Sequence, residues 1–465
     1  MSSGGAVAGA ARALELRGRA ILPGDPDYDG ARAVWNAMQD RRPAVIVRAA
    51  GTADVLAALR LGREHDLRIA VRGGGHNVAG NGTVEGGLVI DLGPMKGVHV
   101  DAARRVVRVE PGVTLGDLDR ETEPFGLVVP IGVVTGTGVS GLTLGGGVGW
   151  LTRAHGLTID SLLSADLVTA DGRVVRASPD DDADLFWAIR GGGGNFGIVT
   201  SLEFEAQALG PTVFAGNFVY RQPRWTEALR AYAAWTEELP DALTSIVSFL
   251  RPHPDWDMGD DILMLAGFTW AGPDPAVAER LVDRLRAAAP PDIEVVQPTR
   301  WVAWQSQADA LFPMGVRAYW KNASLDHLDD AAIEAIVEHA AREPALGSGY
   351  DIHHMGGAVT RVPEGATAFP NRGARFWLNM YGVWSDPADD ERGRAWARAA
   401  HDAVQPYAAA GQYVNFLGSD GHAASDPRAQ ALAAYGPAKL ARLVELKRRY
   451  DPANVFRLNH NIPPD

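Results

Sequence analysis

His76, Asp351 and His353 carry acid–base chemistry in patterns that could use it. His76 closes the run Arg72-Gly73-Gly74-Gly75-His76-Asn77. Three consecutive glycines let backbone N–H groups converge on an anion, because glycine takes positive φ without steric cost. A histidine ending such a loop is either an ordinary capping residue or a group aimed at whatever the loop holds. Asp351 and His353 fall in Tyr350-Asp351-Ile352-His353-His354-Met355-Gly356-Gly357. In a strand they project from one face, with Tyr350, Ile352 and His354 on the other. An Asp–His pair so spaced can hold one imidazole as a general base, the alternative being a polar strand facing solvent. The adjacent His353 and His354 rings diverge and no cysteine is present, which argues against a metal centre. By the same alternation Asn379 and Tyr381 share a face of Phe376–Trp384, and Trp320-Lys321 is another candidate wall.

The elements that must position these residues can be read from the flanking pattern. The apolar run Leu67–Val71 reads as a strand opening into the His76 loop, the usual layout for cradling a cofactor pyrophosphate. Before it, Pro43–Val47 reads as a strand, and Thr52 or Asp54 can cap a helix to about Glu64. This is a βαβ unit. Two more strands follow, Gly87–Leu92 and Arg105–Val109. Then comes Pro130–Trp150, with eight glycines between Gly132 and Gly149. Within it Gly136–Gly141 matches G-x-G-x-x-G, but that motif counts only where it opens a helix after a strand. The continuing glycines predict no stable helix here. A third run, Arg190-Gly191-Gly192-Gly193-Gly194-Asn195-Phe196-Gly197, leads into a strand Ile198–Phe204. Three glycine loops tied to strands suggest one cofactor embraced from several sides.

Composition shifts at Gly210-Pro211: glycine clusters thin out, and tryptophan and proline rise. Helical patterns near 223–238, 275–288 and 329–342 mix with strands near 213–220, 243–250, 262–269, 350–355 and 376–384. They predict a separate α+β domain that supplies a substrate cavity. A last helix, about Pro437–Arg449, leads to the polar tail Asn459-His460-Asn461.

The 465 residues are 46% hydrophobic with a net charge of −13, which fits ample core and opposes nucleic acid or anionic membrane as partner. No cysteine is present, so disulfides and thiolate nucleophiles are excluded, in keeping with a cytoplasmic protein. No signal-peptide pattern opens the chain, and no apolar run approaches the roughly 20 residues of a membrane span. A soluble protein is expected.

Five motifs in order resemble one family: Arg72–Asn77, Gly138–Gly149, Phe186–Gly197, Tyr413-Val414-Asn415-Phe416 and Asn459–Pro464. Together they are similar to the berberine-bridge-enzyme-like branch of the vanillyl-alcohol-oxidase family, most of all to its bacterial members with a singly linked flavin. The resemblance implies an α+β fold: a PCMH-type FAD-binding domain of two α/β subdomains, and an α+β substrate domain with an antiparallel sheet. The expected divisions are a leader and helix over 1–38, the FAD-binding domain over 39–210 and the substrate domain over 211–410. A segment over 411–465 completes the FAD domain.

The resemblance places His76 on the histidine that bonds the flavin 8α carbon. A second link, from cysteine, would fall at Val134, so a single bond to FAD is expected. The other implied FAD contacts are Arg72, Gly73, Gly74, Gly75, Asn77, Thr135, Thr137, Gly138, Gly141, Leu144, Gly145, Gly146, Gly147, Gly149 and Trp150. Gly194, Gly197, Ile198, Val199, Tyr413, Asn415, Asn459 and Asn461 complete the set. Thr137 falls near a position that tunes oxygen access in relatives. Phe416 sits where plant-type members keep a tyrosine base, so the expected catalytic set is Asp351, His353, Asn379 and Tyr413. The expected activity is an FAD-dependent oxidase acting on a small alcohol, cyclic amine, phenol or polyketide-like substrate, with O2 as acceptor. A dehydrogenase with another acceptor, or a carbohydrate oxidase, is the alternative. The chain is expected to act as a monomer or homodimer.

Overall fold

The apolar runs ahead of the first glycine loop form a small sheet. Leu88–Asp91 lies between Val45–Arg48 and Ile69–Arg72, parallel to both, with Arg19–Ile21 antiparallel at the edge. The helix Thr52–Glu64 covers it, and Val55, Ala58 and Leu59 pack on Val45, Val47, Leu88 and Ile90. Strands buried on both faces read as continuous apolar runs, which is why the βαβ pattern was visible in sequence. The computed structural model describes residues 3–345, 347–418 and 426–465.

A second, antiparallel sheet runs in the order Val98–Asp101, Val106–Val109, Ile198–Glu205, Leu162–Val168, Val174–Ala177. Between these sheets the glycine stretch departs from expectation, because Val139–Gly145 is a helix. Burial of Val139 and Leu144 in the core outweighs the poor helix propensity of Gly141 and Gly145. It is still no dinucleotide crossover: the strand before it, Leu127–Val128, pairs antiparallel with Gln207–Ala208.

A third sheet has seven antiparallel strands. They run in the order Ile293–Arg300, Thr212–Arg221, Leu263–Trp270, Leu243–Leu250, Gly349–His354, Phe376–Trp384, Arg317–Leu325. One face carries Phe218, Val247, Tyr350, Ile352 and Leu378, packed under the helices Trp225–Thr236, Pro275–Ala288, Asp330–Ala340 and Asp390–Val404. The other face presents Asp351, His353 and Asn379 to a cavity. In this sheet sequence periodicity missed two strands, Ile293–Arg300 and Arg317–Leu325, and beside it the helix Asp390–Val404; in the first two sheets it missed Arg19–Ile21 and Val98–Asp101. The expected last helix from Pro437 is present, but the helical stretch before it, from Pro427, was missed; the two are separated by a break at Gly436, φ +71°. Among the described residues no helix is long and apolar enough to cross a membrane.

Candidate active site

The cradle starts where two glycine loops touch. A Cβ on Gly74 would lie 2.5 Å from the Gly138 nitrogen, and one on Gly138 would lie 2.4 Å from the Gly74 nitrogen. No larger residue permits this backbone contact, so both positions are fixed as glycine by packing. The third loop is held by the C-terminal tail. Asn459 Nδ2 donates to Gly194 O at 3.0 Å, Asn195 Nδ2 donates to Asn459 O at 2.9 Å, and Ile462 N donates to Asn195 Oδ1 at 3.2 Å. These loops and the seven-stranded sheet enclose about 1570 Å³ of non-atom space, part of it open to solvent.

His76 stands at one end of this cavity, its ring stacked on Trp35 with centroids 4.4 Å apart and planes at 19°. Enclosure by protein pushes the imidazole down to about 4, so it is neutral at physiological pH. Trp35 is itself fully buried and held from both sides. Its N–H donates to Gly75 O at 3.0 Å, and its indole donates to Phe312 O at 2.9 Å. Asn36 repeats the bridge, donating to Val78 O and Ala318 O and accepting from Ala318 N.

The seven-stranded sheet forms another wall. Asp351 Oδ1 accepts from the Ser248 hydroxyl at 2.7 Å and from the Tyr381 hydroxyl at 3.1 Å. Burial without a cationic partner pushes this carboxyl up to about 6. His353 shares the face, as alternation predicts, but the expected Asp–His hydrogen bond does not form. Both of its ring nitrogens are buried without a partner among the described residues, and burial holds the ring down at about 4. Adjacent side chains on one strand face project in parallel, and the two hydroxyls claim the carboxylate first. Asn379 Oδ1 and Trp320 Nε1 are likewise buried and unpaired at this wall. Phe416 fills the seat beside them, 5.6 Å from the His353 ring and 4.7 Å from Tyr413 between centroids.

Of the expected contacts, Gly73, Gly75, Asn77, Val134, Thr137, Gly141, Leu144, Gly197, Ile198, Val199 and Asn415 line the cavity with His76. Others do not reach it. Gly145 packs under Asn415, Gly146 under Phe369, Gly147 against Thr158 and Gly149 against Ile131 O, so these glycines serve close packing. Thr135 is tied to Asp309 by its backbone N–H, at 2.8 Å, and by its hydroxyl. Trp150 packs on Trp304, and Asn461 lies outside the lining. The Arg72 side chain touches the cavity, yet its guanidinium is spent on Ala31 O, Ala33 O and Asp91. Tyr413 lines the cavity with its ring. Its hydroxyl oxygen accepts from Gly147 N and Asn415 Nδ2, both at 2.9 Å, and burial pushes it up to about 12. That arrangement supports the glycine turn instead of accepting a proton. Sequence reasoning missed Trp35, Asn36 and Phe312, which sit in no recognisable motif, and Val133, which lies in the Pro130–Trp150 stretch beside Val134.

Comparison with known proteins agrees with this geometry. Residues 43–178 match the "FAD binding domain" family model, and 412–463 match "Berberine and berberine like". The chain is 31% identical to (R)-6-hydroxynicotine oxidase of Paenarthrobacter nicotinovorans, over 97% of this chain and 98% of that one. The solved 6-hydroxy-D-nicotine oxidase from Arthrobacter nicotinovorans superposes with a TM-score of 0.86 at 28% identity, covering 97% and 98% of the chains. A xylooligosaccharide oxidase from Myceliophthora thermophila has the same fold, with a TM-score of 0.85 at 24% identity and full coverage of both chains.

Proposed function

The chain belongs to the berberine-bridge-like family of FAD-linked oxidoreductases, and on that premise we propose that it is an oxidase whose FAD is bonded once, through His76. In this reading it oxidises a small organic molecule, an alcohol, amine or phenol, with O2 as the electron acceptor. One observation carries the reading. A neutral imidazole, His76, and the Asp351, His353 and Asn379 side chains line one cavity together with the glycine loops. The cytoplasm is the proposed location, and the protein would act as a monomer or homodimer.

The residues fit the cofactor. Glycine loops offer backbone N–H groups to a pyrophosphate, and Arg72, the only lysine or arginine among the described lining residues, is already paired. Unpaired buried atoms at Asn379, Trp320 and His353 await polar partners. The absence of cysteine limits attachment to one bond. When bound, FAD supplies the two-electron oxidation at its isoalloxazine ring. The chain supplies the rest. Asp351 takes the proton from the substrate's O–H or N–H through Oδ2, while Ser248 and Tyr381 fix its orientation through Oδ1. His353, uncharged and unpaired, offers one ring nitrogen as donor and one as acceptor to orient the substrate. Phe416 and Trp320 keep water from that wall.

The oxidase reading is tested by reducing the holoprotein without oxygen and then admitting air. Return of the yellow colour within seconds supports it. Return over minutes or longer replaces it with a dehydrogenase that uses another acceptor.

A further inference from the structure

A second space, about 590 Å³ with open solvent included, adjoins the first cavity and shares Val133, Phe312, Asp351 and His353 with it. The Asp–His wall therefore stands at a junction and not at a dead end. The body of this second space is apolar: Trp150, Ile246, Leu250, Trp256, Leu265 and Leu311. Its polar groups are few. Ser248 and Tyr381 are spent on Asp351. Asn217 Nδ2 donates to Gln307 Oε1 at 3.2 Å, which leaves Gln307 Nε2 buried with no partner among the described residues. Among the described residues no lysine or arginine lines the space.

From this arrangement, and resting on the oxidase reading above, we infer that the second space is the recognition subsite for the substrate's body. The substrate is an uncharged or cationic, ring-sized apolar molecule. Its hydroxyl or amine meets Asp351 at the junction, and a hydrogen-bond acceptor at its far end meets Gln307. Three features of the site exclude other classes. A carboxylate or phosphate finds no cation and faces Asp351. A sugar needs many polar partners, and among the described residues the buried lining groups without one are the His353 ring and the Gln307 amide. An apolar ring gains by leaving water for this lining.

A matched pair of dyes tests the inference on the flavin-loaded protein. N-phenyl-1-naphthylamine is neutral, and 8-anilino-1-naphthalenesulfonate has nearly the same body plus one anionic group. Binding is read from dye fluorescence and from displacement of the flavin absorption band. The neutral dye is expected to saturate one site per flavin, to perturb that band, and to bind at least tenfold tighter than the sulfonate. Cellobiose should leave both signals unchanged. Ala308→Trp and Leu265→Trp fill the space from different elements, and each should weaken the neutral dye at least tenfold with flavin content retained. Equal binding of the sulfonate, no binding of the neutral dye, or unchanged binding in whichever filled variant keeps its flavin spectrum would overturn the subsite. A protein that holds no flavin would instead overturn the oxidase reading itself.

Discussion

At His76 the local environment decides the chemistry. An ordinary histidine near 6.5 would lose about nine-tenths of its neutral form at pH 5.5. Burial holds this one at about 4. Flavin attachment to the cofactor-free protein should therefore proceed at nearly the same rate at pH 5.5 and 8, as followed by acid-stable absorbance; a tenfold slowing would show that the imidazole titrates normally. Asp351 makes the opposite prediction. Its carboxyl, raised to about 6, must be ionised to accept a proton, so kcat/KM should rise with pH through about 6 and level off above it. Asp351→Asn should lower kcat by roughly 10²–10⁴-fold and abolish that rise. Both residues were legible in sequence because their signals are local: a glycine run ending in histidine, and the two-residue period of a strand. That Asp351 would bond to Ser248 and Tyr381 and not to His353 was not legible, because periodicity locates the strands 243–250 and 376–384 but not their pairing with Gly349–His354.

The element that couples the two walls is the strip around Trp35 and Asn36, which reads in sequence as part of a leader. It is stitched to the His76 loop through Gly75 and Val78, and to the substrate sheet through Phe312 and Ala318. Trp35→Ala removes the ring stacked on His76 and should cost about 3–5 kcal/mol of stability, as for other buried tryptophans. It should also lower the covalently bound fraction of flavin, and Trp35→Phe should restore much of it. A Trp35→Ala protein that attaches flavin as fast as the parent would reduce Trp35 to a packing residue. Long-range contacts of this kind leave no trace in local pattern. The glycines at 145, 146, 147 and 149 misled for a related reason, since a glycine required by a neighbouring side chain looks the same in sequence as one required by a ligand.

Across the whole molecule, the chain's end completes the site near its beginning. Lys447 is fully buried, paired with Asp451 at 2.7 Å, and donates to Asn195 O and Phe456 O. Those contacts lock the tail that carries Asn459 against the third glycine loop. Lys447→Met leaves Asp451 buried without its cation and should cost about 3–5 kcal/mol in denaturant unfolding. A loss below about 1 kcal/mol would mean that the tail is held elsewhere. The three sheets were largely legible from apolar runs; their mutual placement was not, because it rests on such buried pins. The central claim is that one bond at His76 tethers the flavin between these parts. It is tested most directly by digesting the yellow protein with trypsin and weighing the peptide Gly73–Lys96. The account requires that peptide to carry the mass of one FAD, lost in His76→Ala. An unmodified Gly73–Lys96 from yellow protein, or the added mass on another peptide, would contradict it.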